Sequence, residues 1–240
     1  MIDWLKRHAI EPEIELAGET VPIVLRRHNR AKRLTLRLAP DGSAVQITLP
    51  SWANPNEAIA FAHARADWLA AQRERIPQRA APAPGGEVLY RGEPLALVWN
   101  ERAPRRPKHS GGSLTLGGQQ SGFEVRVRRW LEREALVLFE EDARDYCAAA
   151  QLDPVPVALS RAQKRWGSCS DKARIRINWR LVQAPDAIRR SVVAHEVAHL
   201  VHFDHSPAFH ALLGDIYDGD IKAADGWLKQ HGRLLYASFG

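Results

Sequence analysis

The chain has 240 residues, 45% of them hydrophobic and 26% charged, the proportions of a folded globular protein long enough to bury its own core. Two cysteines exclude a disulfide scaffold and a four-thiolate zinc site, and the longest apolar runs, such as residues 95–99, fall far short of the roughly 20 residues a membrane helix needs. The net charge of +6 is spread along the chain rather than gathered in a basic tail, so it permits a polyanionic partner without requiring one.

The first eight residues carry an acid and two bases where a secretory signal would run apolar, and the expected location is the cytoplasm. Arg26, Arg27, Arg30, Lys32 and Arg33 form the densest basic cluster. It reads as a solvated strand edge and loop, with contact to nucleic acid or another polyanion as the alternative. Leu34, Leu36 and Leu38 alternate with polar residues, Pro40-Asp41-Gly42-Ser43 supplies a turn, and Val45, Ile47 and Leu49 alternate again, which predicts a half-buried hairpin. Asn54-Pro55 opens a helix to about Arg75, whose stripe of Ile59, Ala62, Ala66 and Leu69 faces that hairpin. Residues 77–86 have no apolar period and read as a linker.

Short strands follow at 88–90, 95–99 and 114–116, between turn-rich stretches. The pattern turns helical from about 125 to 150, strand-like at 155–159 and 174–179, and helical again from Pro185-Asp186 to about Phe203. No repeat of fixed period is evident. The eight tryptophans are expected to pack rather than to form a cofactor cage. This order of elements gives an α+β fold in three parts: a hairpin-and-helix region over residues 1–76, a linker and β-rich segment over 77–122, and a part over 123–240 that carries the chemistry.

His195-Glu196-Val197-Ala198-His199 falls inside the last of these helices, where residues four apart stand one turn above another on the same face. Two imidazoles so spaced can bind one cation. Glu196, about 100° round the helix from His195, can reach a water on that cation instead of ligating it. At this composition the pattern is expected by chance roughly 0.03 times, and Ile188, Val192, Val197, Leu200 and Val201 supply the apolar packing a buried helix needs. Zinc suits imidazole nitrogens at about 2.0–2.1 Å and keeps an open position beside three protein ligands in catalytic sites, so a third ligand is required.

The candidates are His202, His205, His210 and the aspartates Asp204, Asp215, Asp218, Asp220 and Asp225, since Glu196 is the last glutamate in the chain. On a continuous helix His202 would stand about 10 Å along the axis from His195, and His205 would point some 120° off the metal-binding face. Phe203-Asp204-His205, followed by Ser206 as a cap and Pro207 as the first helical residue, breaks the helix and swings His205 back. His205 is the expected third ligand, with an aspartate as the reserve. The metzincin pattern is excluded, because His202 stands where it needs glycine and the only methionine is Met1.

Upstream stand Arg165-Trp166-Gly167-Ser168-Cys169-Ser170 and Ile177-Asn178-Trp179-Arg180-Leu181. With His-Glu-x-x-His-Leu at 195–200 and His-Ser-Pro-x-Phe at 205–209, these residues resemble the YgjP-like metallopeptidase family. The basic hairpin, Ala66-Asp67-Trp68-Leu69 and Tyr90-Arg91-Gly92 extend the likeness over most of the chain. The resemblance implies a zincin-like catalytic domain preceded by a β-rich N-terminal region, Zn2+ as cofactor, His195, His199 and His205 as its ligands, and Glu196 as catalytic residue. In zincins a strand before the metal helix lines the cleft and can pair with an extended substrate; residues 174–178 are the candidate, or else form a core strand under the helix. Cys169 is expected to behave as a small buried apolar residue rather than a thiolate ligand. Lys164 and Arg165 either orient an anionic substrate group or form surface ion pairs.

The expected reaction is zinc-dependent hydrolysis of a peptide bond in a peptide or protein substrate. The ion lowers the pKa of its water from 15.7 towards about 7, Glu196 takes the proton and returns it to the leaving amine, and a donor among His202, His210, Tyr217 and Arg165 supports the developing oxyanion. Two rivals are a metal-dependent hydrolase of a non-peptide bond, such as a nucleotide phosphoanhydride, and a protease acting on nucleic-acid-bound proteins, as in the distantly similar SprT-like proteases, whose sign would be salt-dependent affinity for DNA. No membrane association is expected.

Overall fold

The computed structural model describes residues 12–76 and 81–239. The N-terminal segment read against a secretory signal, with Trp4, and residues 77–80 of the expected linker lie outside them. The chain divides after residue 78 into two compact units, and its 41% helix and 23% strand make it α+β, as expected.

The first unit is a four-stranded sheet covered on one face by two helices. Strands β1 (Glu13–Leu16), β2 (Glu19–Arg27), β3 (Thr35–Leu38) and β4 (Val45–Leu49) lie in the order β1-β2-β4-β3. The predicted hairpin is β3–β4, with Leu36 opposite Ile47 and Leu38 opposite Val45. Helix α1 (Pro55–His63) starts where Asn54 caps it. The single helix expected to Arg75 is broken at Ala64-Arg65, after which α2 (Ala66–Glu74) resumes and buries Leu69. Ile14, Leu16, Ile23, Ile47 and Leu49 complete the core. Strand β1 and most of β2 were not predicted.

The second unit opens with β5 (Glu87–Tyr90), β6 (Glu93–Trp99), β7 (Lys108–Ser110) and β8 (Ser113–Leu116) in the order β5-β6-β8-β7. This is the connectivity of the first sheet again. The two leading hairpins also match in sequence: Glu13-Ile14-x-Leu16-x-Gly18-Glu19 against Glu87-Val88-x-Tyr90-x-Gly92-Glu93. Each turns through two left-handed residues, Ala17 and Gly18 at φ 52° and 82°, Arg91 and Gly92 at φ 54° and 88°, the backbone that a tight antiparallel turn demands. The repeat sets up no fixed period along the chain because the motif occurs only twice.

Helix α3 (Phe123–Ala149) follows, its buried stripe Phe123, Val127, Trp130, Leu131, Ala135 and Phe139 recurring at helical spacing. A three-stranded sheet of β9 (Val157–Ser160), β10 (Gly167–Cys169) and β11 (Ile175–Asn178) has the order β10-β11-β9. Then come α4 (Asp186–Ala198), α5 (Pro207–Ile216) and α6 (Ile221–His231). Helix α4 ends at Ala198 rather than near Phe203. One apolar core takes in Val88, Leu97, Leu114, Phe139, Ile177, Val193 and Phe209, so the β-rich stretch and the helices beyond it pack as one body.

Two features fix α4 in place. The turn Arg91-Gly92 docks on the chain just before it, donating both amides to the carbonyls of Val182 and Gln183, and a Cβ on Gly92 would lie 3.0 Å from Pro185. Within the core, Arg189 donates to Asp142 of α3 at 2.7 and 3.3 Å, and both side chains are only 3% exposed. Asp186, at the helix start, joins Arg189 at 2.5 Å and pairs with Arg91.

Candidate metal centre

Helix α4 sets His195 one turn below His199, and the chain then leaves the helix. Ser206 accepts from the Phe209 amide at 3.4 Å and Pro207 starts α5, so the intervening turn brings His205 back, as its sequence predicts. The Nε2 atom of His195 lies 3.1 Å from that of His199 and 3.2 Å from that of His205. Nitrogens at 2.0–2.1 Å from a tetrahedral ion are roughly 3.3–3.4 Å apart, close to these two separations, and the three ligand atoms all lie within 4.8 Å of one another, an arrangement that can hold a small divalent cation. Among the described residues these three form the group able to hold a metal.

The surroundings favour that use. His199 donates its Nδ1 proton to the His202 carbonyl at 2.9 Å, which leaves the Nε2 lone pair free for a cation. Burial, and then the neighbouring His199 and His205, push the pKa of His195 down to about 4, so its ring is neutral at pH 7, the form that ligates. Beneath the triad the buried ring of Phe209 lies 5.0, 4.6 and 4.9 Å from the rings of His195, His199 and His205. That packing holds all three rotamers against one wall.

Glu196 is buried, at 5% exposure. Burial pushes its pKa up to about 7 against the opposing charge of Arg165. Its carboxylate lies over β10: a Cβ built on Gly167 would come within 2.6 Å of Glu196 Cγ and 2.7 Å of Cδ, and would overlap Oε1. Glu196 and His195 line one cleft of about 250 Å³ with Arg165, Trp166, Gly167, Val192, Leu213, Ile221, Asp225 and Leu228.

Asn178 carries the upstream motif. Its amide hydrogen-bonds to the Trp166 carbonyl at 2.7 Å. Its side chain donates to the Ala162 carbonyl at 2.8 Å and to the Tyr236 hydroxyl at 3.0 Å, and it accepts from the Arg180 amide at 3.2 Å. The Arg-Trp-Gly-Ser-Cys-Ser stretch is thereby held as the strand that borders Glu196.

The remaining sequence candidates separate cleanly. None of the aspartates joins the triad; Asp225 lines the cleft and Asp220 caps α6. His202 enters through its backbone carbonyl rather than its ring. Tyr217, considered as an oxyanion donor, gives its hydroxyl to the Ala187 carbonyl at 2.9 Å, and His210 is exposed with its ring 6.4 Å from that of His205. Arg165 alone of the four proposed donors reaches the cleft wall. Burial, reinforced by the charge of Glu196, pushes the Cys169 thiol up, which keeps it protonated. Strand β11 lies between β10 and β9, so residues 174–178 have no free edge; β10 and β9 are the edge strands, and β10 is the one that borders Glu196. Gly167 and Phe209 were quoted only as parts of motifs. Their roles depend on what lies against them in space, and no local pattern announces that.

Comparison with curated proteins found no match, and comparison with solved structures found none. The model of the YgjP-like family, described as a metallopeptidase domain, matches residues 32–231, most of both units, the histidine triad and Glu196 included. Such a domain is a hydrolase that works with a divalent metal, and the triad has the donors for one. The chain belongs to the YgjP-like metallopeptidase family.

Proposed function

We propose that this protein is a zinc-dependent metallopeptidase in which His195, His199 and His205 hold the ion through Nε2 and Glu196 serves as general base and then general acid. The observation that carries the reading is the meeting of three imidazole nitrogens at 3.1 and 3.2 Å beside a buried carboxylate that lines one cleft with His195. An all-imidazole set suits zinc better than the oxygen-seeking magnesium or calcium, and three ligands leave a position open. When bound, such an ion polarises the scissile carbonyl and acidifies a water.

Glu196 takes a proton from the attacking water onto its carboxylate and delivers it to the leaving nitrogen. Gly167, lacking a side chain, lets that carboxylate sit against β10. Arg165 lends positive charge at the cleft wall where negative charge develops. The substrate runs along the free edge of β10. Ser168 faces Arg176 across the ladder, and Ser170 and Trp166 bond to the same neighbour, so Gly167 and Cys169 turn their main-chain groups outward, available to an extended peptide. One substrate side chain enters the cleft, where Trp166, Val192, Leu213, Ile221 and Leu228 favour an apolar group.

The test is zinc-loaded protein incubated with a peptide mixture, with products read by mass spectrometry. Cleavage beside large apolar residues is expected, lost on chelation and restored by zinc. Glu196→Gln keeps its metal by elemental analysis and loses about 10²–10⁴-fold in kcat; full activity of that variant overturns the role of Glu196. Hydrolysis of nucleotides without any peptide cleavage overturns the peptidase reading.

A further inference from the structure

Among the described residues, helices α1 and α2 cover one face of the N-terminal sheet, and the other carries exposed side chains. On that outer face the register sets Arg26 of β2 beside Thr48 of β4, itself beside Thr35 of β3, and in the next row Val24, Gln46 and Arg37. The same end of the sheet carries the loop with Arg30, Lys32 and Arg33, because β2 and β4 run parallel and both finish there. Arg26, Arg30, Lys32, Arg33 and Arg37 are all exposed, and among the described residues none of their side chains has an ion-pair or hydrogen-bond partner. No acid occurs between Glu19 and Asp41 or between Asp41 and Glu57, and Asp41 belongs to the turn at the opposite end. Among the described residues, the acids of the outer face, Glu13 and Glu15, stand on β1, away from the loop.

An aromatic group stands at this basic end. Trp52 is 76% exposed, whereas tryptophan is ordinarily mostly buried. It sits on the turn after β4, which Arg27 braces by donating to the Ser51 carbonyl at 2.6 Å. The indole is thus presented on a held turn rather than a loose tip.

We propose that this end and outer face of the N-terminal sheet bind single-stranded nucleic acid, with the arginines and Lys32 on the phosphates and Trp52 stacked on a base. Unpaired cations on a largely polar sheet face suit a phosphate chain, and an isolated indole beside them finds a partner in an unstacked base. A bilayer surface is a poorer fit, because Thr35, Gln46 and Thr48 occupy the face where an interfacial element would need apolar side chains. Duplex DNA keeps its bases stacked and out of reach of Trp52. These residues take no part in the metal centre, and their binding does not depend on hydrolysis.

The test uses the full chain and a labelled 15-nucleotide oligothymidylate, read by fluorescence anisotropy from 50 to 300 mM KCl. A duplex of equal length and vesicles of phosphatidylglycerol and phosphatidylcholine serve as competitors. Tighter binding to the single strand is expected. Trp52→Ala should weaken it about tenfold, and the pair Arg26→Gln with Arg37→Gln should reduce the slope of log affinity against log salt by about 1.4. All three side chains are solvent-exposed, and circular dichroism verifies that the variants fold. Absence of binding at 50 mM KCl, equal or tighter binding of the duplex, displacement by vesicles, or unchanged binding by both variants overturns the proposal.

Discussion

Gly167 and Glu196 are in contact across two elements: the α-carbon of the strand residue lies so near the carboxylate of the helix residue that no side chain fits between them. Gly167→Ala therefore forces the carboxylate off its position. A displacement of about 1 Å in such a group costs about 10²-fold in rate, so kcat/KM on any peptide the wild type cleaves should fall by that order while metal content stays at the wild-type level. Wild-type turnover in this variant would show that the carboxylate position is not critical.

Phe209 touches all three imidazoles and is fully buried. Phe209→Ala removes a core ring, at a cost of about 3–5 kcal/mol in urea unfolding. Phe209→Leu keeps much of the volume but loses the flat wall behind the rings, and metal affinity by competition with a chelator should drop about tenfold or more.

Asp142 faces Arg189 with both groups out of water. Asp142→Ala leaves a buried guanidinium whose remaining partner is the half-exposed Asp186, and about 3–5 kcal/mol of stability should be lost. Replacing both, as Asp142→Leu with Arg189→Met, should recover much of that loss, because the buried charges disappear together. A double variant no more stable than Asp142→Ala would contradict this account.

Burial works against the charge of Asp186, but Arg91 and Arg189 prevail and hold its carboxyl below the ordinary carboxylate range. A carboxyl whose pKa is lower folded than unfolded contributes stability above its unfolded value and loses it as pH falls through the folded one. Wild type should therefore exceed Asp186→Asn in Tm at pH 6, and the gap should close as pH falls through 4 towards 3. A gap that stays constant would assign the effect to packing instead.

Local sequence determined the parts of the site that lie within one or two turns of chain. The pairing of His195 and His199 on one face follows from helical geometry, and the return of His205 follows from Ser206 and Pro207, residues favoured at the cap and first position of a new helix. The hairpin at Leu34–Leu49, the long amphipathic helix and the α+β class were legible for the same reason, since alternation and helical period are written in neighbouring residues. The break at Ala64-Arg65 and the end of α4 at Ala198 were not, because the apolar pattern runs on past both.

Only the tertiary structure decided which surfaces meet. It put β11 inside its sheet and β10 at the edge beside Glu196, set Gly167 against Glu196 and Phe209 under the histidines, and turned Arg189 inward to Asp142. It also left Trp52 exposed, where composition alone led one to expect a packed side chain. These outcomes depend on contacts between residues far apart in the chain, whose energies come from burial and close approach in space, and neither quantity has a local signature along the sequence.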